Sequence, residues 1–170
     1  MPVMELLDVF RALPPQLIVG LLAAAPILEL RGSIPFGAAA YGMPVAEAAA
    51  WSVLGNTAAI FLVYGLGDAW LKFVERRGGF WRRLTDRVLQ RTRLKFNGQY
   101  LRYGLIALCI FVAVPLPLTG AWTGSLAGFI FGIPFRKAFA PIFLGIVIAA
   151  VIVSLATAGV VSGLSWAVNQ

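Results

Sequence analysis

Histidine is missing from this chain of 170 residues, and cysteine occurs once, at Cys109. Without histidine there is no imidazole general base, no Ser-His-Asp triad and no His-ligated metal site. A single cysteine excludes an intrachain disulfide and a thiolate cluster. Cys109 sits in the apolar run 105–114, where a small buried hydrophobe is expected rather than a reactive thiol. Charge is scarce as well: 12% of residues are Asp, Glu, Lys or Arg, against about a quarter in an average soluble domain. With 60% hydrophobic residues and a mean hydropathy of +0.87, the chain carries more apolar surface than it could hide in water. Lipid is the expected solvent. The stretch 1–15, with Glu5, Asp8 and Arg11, shows neither the basic n-region nor the small-residue cleavage site of a secretory signal.

The net charge of +7 does not read as a nucleic-acid surface. Ten Lys and Arg residues, against only Glu75 and Asp86, are concentrated in 72–102 between two hydrophobic blocks. Basic residues gathered beside membrane spans mark the cytoplasmic side, so 72–102 is expected to be cytoplasmic.

Four apolar blocks follow one another: 16–43, 45–71, 103–134 and 138–168. Each exceeds the roughly 20 residues that a helix needs to cross a bilayer core. The second and fourth read as plain transmembrane helices. Glu29, Arg31, Gly32 and Pro35 interrupt the first, and Pro115, Pro117 and Gly120 stand inside the third. Proline removes a helical N–H and clashes with the preceding turn, and glycine is a poor interior helix residue. The strings 25–35 and 114–120 therefore cannot be continuous helix, with Gly32, Pro35, Pro115, Pro117 and Gly120 expected to make the breaks. Non-helical backbone at membrane depth needs shelter from lipid, so each break predicts a sheltered polar site, and one shared cavity would serve both.

The order repeats. A short amphipathic segment (4–13, then 80–96) precedes a broken block and a clean span. Identity between the halves is slight, so the repeat rests on order. The expected fold is all-α and membrane-integral, a single domain over 1–170 built of two inverted repeats. Repeat one, 1–71, holds hairpin 16–43 and transmembrane helix 45–71; repeat two, 72–170, holds the amphipathic segment within 72–102, hairpin 103–134 and transmembrane helix 138–168. Each repeat is an interfacial amphipathic helix, a re-entrant hairpin and one spanning helix, a layout found in secondary transporters. Re-entrant hairpins put 72–102 and Arg136-Lys137 both in the cytoplasm and both termini outside; four full spans would leave Arg136-Lys137 on the wrong side. Gly120, Gly124, Gly128 and Gly132, and again Gly159 and Gly163, fall at four-residue spacing, which predicts tight helix packing, with a homodimer seam as the alternative.

Glu29 and Arg31 lead the functional candidates, because an intramembrane charge costs about 2.5–3.5 kcal/mol on insertion scales and marks function by default. Glu29 is assigned to ion coupling, as a proton or cation acceptor, and Arg31 to an anionic contact. The competing reading is a structural ion pair, such as Arg31 with Asp68. Positions i and i+2 lie on different faces of a regular helix, so irregular backbone is required for the two to share a cavity. Ser33, Asn56, Thr119 and Thr123 are further candidates to line it, although hydroxyls near prolines often only bond freed backbone.

The strings Glu29-Leu-Arg-Gly-Ser-Ile-Pro-Phe-Gly37 and Pro115-Leu-Pro-Leu-Thr-Gly-Ala-Trp-Thr-Gly124 resemble the two signature segments of the small multidrug export protein family. Length and element order match over nearly the whole chain; where this sequence has Leu118, the family more often has glycine. The layout is similar to the DedA (VTT-domain) superfamily, whose members are implicated in lipid movement and undecaprenyl-phosphate recycling with ion coupling. The resemblance implies a membrane transporter or flippase. A phosphate-bearing lipid carrier such as undecaprenyl phosphate would suit Arg31 and the basic interface; the alternative is export of small hydrophobic cationic drugs against Glu29. A non-transporting lipid-organising or assembly factor is the reading from another class. No enzyme is expected, since no second carboxylate stands near Glu29 in sequence. No cofactor or metal is expected either. Partners are membrane lipids, their anionic head groups and a second copy of the chain, with no nucleic acid.

Overall fold

A computed structural model describes residues 13–77, 79, 98–116 and 119–168. Among them the regular structure is six helices: α1 (Pro15–Ala24), α2 (Glu29–Tyr41), α3 (Val45–Arg77), α4 (Gly98–Ala113), α5 (Ala121–Ile130) and α6 (Phe135–Val168). Two short helices and a long one are followed by two short helices and a long one. The expected amphipathic segment 80–96, Pro117 and nearly all of 4–13 lie outside the described residues.

Local chemistry sets the boundaries. Pro15 opens α1 at a position where its missing N–H is harmless. Pro26 ends it by forcing Ala25 into extended backbone, at φ −75° and ψ 139°. The chain turns through 25–28 and re-enters helix at Glu29. Gly32 and Pro35 therefore do not break the chain, contrary to the sequence-based expectation; both lie inside α2. Pro35 has no N–H to give to the helical hydrogen-bond ladder. Its neighbours hold the helix together: Ile34 is fully buried, and Ser33 is hydrogen-bonded to α3.

In the second pair, α4 stops at Ala113 and α5 starts at Ala121, with Gly120 at φ 149° as its N-cap. Pro115 lies in the interval. Both pairs end in the same device. Gly42 (φ 60°) and Gly132 (φ 69°) take left-handed backbone that favours glycine. The next N–H then bonds back, from Met43 to the Gly37 carbonyl at 3.2 Å and from Ile133 to the Gly128 carbonyl at 2.9 Å. Pro44 and Pro134 follow, and the long helices begin.

Helices α3 and α6 are long and apolar enough to cross a membrane, over Val45–Phe73 and Phe135–Gly163, with mean hydropathies of 1.5 and 2.7. Only 39% of each of these windows is buried. Leu54, Leu66, Leu144, Val151 and Leu155 are exposed, which suits lipid rather than water. The helices of both pairs have 10 to 16 residues, giving lengths of about 15–24 Å, less than the roughly 30 Å of a hydrocarbon core.

The chain forms two compact units, 1–56 with 148–170, and 57–147. These are not the sequence halves 1–71 and 72–170: both dividing points fall inside the long helices. The reason is length. A helix of 33 or 34 residues runs about 50 Å, and a short pair can cover only part of it.

In the first unit, α1 crosses α3 so closely that a Cβ on Gly55 would strike the Gly20 carbonyl. A Cβ on Gly37 of α2 would lie 3.1 Å from that of Ala48. In the second unit, a Cβ on Gly145 would come within 2.7 Å of the Cys109 carbonyl, and one on Gly128 within 2.5 Å of the Tyr64 Oη. Gly124 abuts Val112, so the glycine face of α5 is a packing face. At Gly159 and Gly163 a Cβ would meet no described atom within 4 Å. The tight packing expected there is not found among the described residues.

Candidate functional site: a buried polar seam in the first unit

Glu29 is the first residue of α2 and carries φ +46°. Left-handed backbone at a non-glycine residue costs roughly 1–3 kcal/mol and persists only where surroundings hold it. Its consequence is geometric: the side chain turns out of regular helical register, and the Arg31 Nη2 donates to the Glu29 Oε2 at 3.0 Å. Two residues that a regular helix would separate are thus paired. The glutamate is buried, at 4% exposure, while the Arg31 side chain keeps 25% of its surface open. The pair has an inner carboxylate and an outer guanidinium.

One turn on from Glu29 stands Ser33, fully buried, with its Oγ 2.7 Å from the Ser52 Oγ of α3. Another turn on is Gly37, packed on Ala48. Helices α2 and α3 therefore run antiparallel, with Gly37 opposite Ala48 and Ser33 opposite Ser52. Continued by one turn, that register points Asn56 of α3 toward the Glu29 end of α2. Asn56 is fully buried, and neither its Oδ1 nor its Nδ2 has a hydrogen-bond partner. A buried amide left in that state costs about 1–3 kcal/mol. At the outer end, the Gln16 Nε2 of α1 donates to the Glu47 Oε1 of α3 at 3.1 Å.

The other sequence candidates sit in the second unit. The Thr119 Oγ1 lies 2.6 Å from the Val114 carbonyl and 2.8 Å from that of Leu116, and accepts from the Leu116 N–H at 3.1 Å. Its hydroxyl closes the turn between α4 and α5. Thr123 reaches the Gly120 carbonyl at 3.4 Å. Its side chain also borders a cavity of about 590 Å³ lined by Val63, Leu66, Trp70, Trp122, Leu126 and Phe129. That cavity is apolar and aromatic. The Tyr64 Oη donates to the Ile133 carbonyl at 3.3 Å, and Asp68, one turn on, is exposed. Glu29, Arg31, Ser33 and Asn56 belong to the first unit, where the structure pairs Glu29 with Arg31 and Ser33 with Ser52; Thr119 and Thr123 belong to the second. No group of three or more His, Cys, Asp or Glu side chains is gathered among the described residues.

Sequence reasoning missed Ser52. A lone serine in an apolar span carries no signal by itself. The signal was the pairing of spacings: Glu29 and Ser33 are one turn apart on α2, and Ser52 and Asn56 are one turn apart on α3. A second signal was also missed. Gly42, Pro44, Ala48 and Gly55 recur at the same spacing as Gly132, Pro134, Ala138 and Gly145, so the two halves share residues as well as order.

Helical pairs alternating with two helices long and apolar enough to cross a membrane fit the class of helical membrane proteins. The comparison with known families says which. The model of the family described as "Putative small multi-drug export protein" matches residues 29–152, and the chain belongs to that family. No curated protein and no solved structure matches the chain.

Proposed function

We propose that this protein is an ion-coupled membrane transporter in which Glu29 takes up the coupling ion. The observation that carries this reading is the buried, left-handed Glu29 closed on Arg31 at 3.0 Å. An ion pair in lipid is stable only as a neutral unit. When one positive ion neutralises the carboxylate, Arg31 is released and needs an anion. When the ion leaves, the pair closes again and expels that anion. Ion and anionic cargo are thus bound together and released together. A phosphate-bearing lipid carrier such as undecaprenyl phosphate meets the demand of Arg31 for a head group, and its lipid tail is at home in the bilayer.

A second reading has its own support. The cavity walled by Trp70, Trp122 and Phe129 offers aromatic faces to a small hydrophobic cation, in line with the export activity in the family's description. The two cargoes separate at Arg31: Arg31→Ala should abolish transport of the anionic lipid and leave cation export intact.

The topology proposed is of two re-entrant hairpins, too short to span, in an inverted repeat, with both termini outside and both 72–102 and Arg136-Lys137 in the cytoplasm. The basic residues support it. Single cysteines at 3, 90, 136 and 169 in a Cys109→Ala background should react with an impermeant label from outside only at 3 and 169.

The decisive experiment is uptake into proteoliposomes with and without an ion gradient. Glu29→Gln should remain folded and lose gradient-driven transport. Gradient-driven transport that survives in Glu29→Gln overturns the ion-coupling reading. Function in cells that survives neutralising Glu29 and Arg31 together points to a non-transporting lipid-organising factor.

A further inference from the structure

Resting on that reading of Glu29, we propose that the coupling ion is a small monovalent metal cation of the sodium type, held by Glu29, Ser33, Ser52 and Asn56. A proton needs only the Glu29 carboxylate. It leaves unexplained why three more oxygens, from fully buried side chains, are lined up on the same seam. The Ser33 and Ser52 hydroxyls are 2.7 Å apart, and the Asn56 amide, one turn beyond Ser52 and toward the Glu29 end of α2 by the same register, has a bare Oδ1. Carboxylate, amide and hydroxyl oxygens are the ligands that hard cations prefer.

Charge decides the valence. Calcium sites gather several carboxylates among six to eight oxygens, whereas this seam holds one carboxylate. A monovalent ion neutralises Glu29 completely, and Arg31, with a quarter of its side-chain surface open, can swing outward as the ion arrives. A divalent ion would leave one positive charge uncompensated beside Arg31, at the desolvation cost that excludes lone buried charges. The unpartnered amide is then a ligand of the ion rather than a packing defect. The second unit is the control that the chain itself provides: there Ile142 and Ile146 occupy the positions of Ser52 and Asn56, both fully buried, and no ion could be held.

Thermal unfolding of the purified protein in detergent, at fixed pH and ionic strength, tests the site with the bare ions. Melting temperature is followed while choline chloride is exchanged for sodium, lithium or potassium chloride. A ligand that binds only the folded state raises it in proportion to the logarithm of its concentration. Sodium or lithium is expected to raise the melting temperature once its concentration passes the dissociation constant, and potassium to act weakly. Ser52→Ala should move the onset of the rise to about tenfold higher concentration, the effect of about 1.4 kcal/mol. Asn56→Leu should abolish the response while leaving a folded protein. Equal effects of all salts, or a sodium response that persists in both variants, overturn the cation site. Stabilisation by acid alone, with no cation response, also overturns it, yet leaves Glu29 as a proton-coupled carboxylate. Only ion-driven transport by Glu29→Gln would bring down both.

Discussion

The two helix triplets, α1–α3 and α4–α6, are built on one plan and finished differently. The shared plan is in the turns and close approaches. Gly42 and Gly132 reverse the chain, Pro44 and Pro134 start the long helices, Ala48 and Ala138 are fully buried, and Gly55 and Gly145 admit the first helix of each pair. The finish lies between these fixed points. Where the first triplet places Ser52 and Asn56, the second places Ile142 and Ile146, and all four are fully buried. Where α5 starts after a glycine in unusual backbone, α2 starts on a glutamate held at φ +46°. A scaffold that tolerates isoleucine at these positions has no structural need of a hydroxyl or an amide there. The first triplet has given up stability at the seam, and the polar groups there are the ones to test for function.

The largest effect should come from the shared plan. Gly55→Leu and Gly145→Leu each drive a side chain into the carbonyl of a neighbouring helix, at Gly20 or Cys109. Either should prevent recovery of monodisperse protein by size-exclusion chromatography. If one variant folds normally, the two close approaches are not equivalent and the common plan fails.

Exchange of the seam residues comes next. Asn56→Leu removes a buried amide without partners and should stabilise the protein by about 1–3 kcal/mol in cation-free detergent, while gradient-driven transport is lost. Ile146→Asn plants such an amide in the second unit and should destabilise it by a similar amount. Opposite signs in thermal unfolding sharpen the contrast; equal signs would erase it.

Ser33→Ala breaks the buried hydroxyl pair, a loss near the 0.6 kcal/mol average for a hydrogen bond in a membrane interior, and should weaken transport beyond that small change in stability. Tyr64→Phe removes a bond of 3.3 Å in the second unit. It should lower stability by no more and leave transport at the wild-type rate. Equal transport defects in these two variants would show that the second unit shares the chemistry.

Much of this was legible along the chain. The blocks 45–71 and 138–168 are local sums of hydropathy, and they became α3 and α6 with a few residues added at the ends. Glu29 and Arg31 stood out because charge in an apolar block is rare. What stayed hidden depends on neighbours distant in sequence. Pro35 looked like a break, but packing around Ile34 and Ser33 carries α2 through it, and Pro26 made the turn instead. Pairing of Glu29 with Arg31 required a backbone angle that no spacing rule predicts. Gly159 and Gly163 repeat the spacing of Gly124 and Gly128, yet among the described residues only the latter two meet a neighbour.

By itself the sequence determined the solvent, the helical class, the number and approximate length of the long helices, and the presence of charge where lipid should be. Those properties follow from composition and from hydropathy summed over short windows, which need no partner. Tertiary structure alone decided that Ser52 meets Ser33, that Asn56 is buried without a hydrogen-bond partner, and that Thr119 is consumed by its own turn. Helical periodicity tells which residues share a face, but the register between two faces is set by close approaches such as Gly37 on Ala48, where two chains of contacts must fit at once.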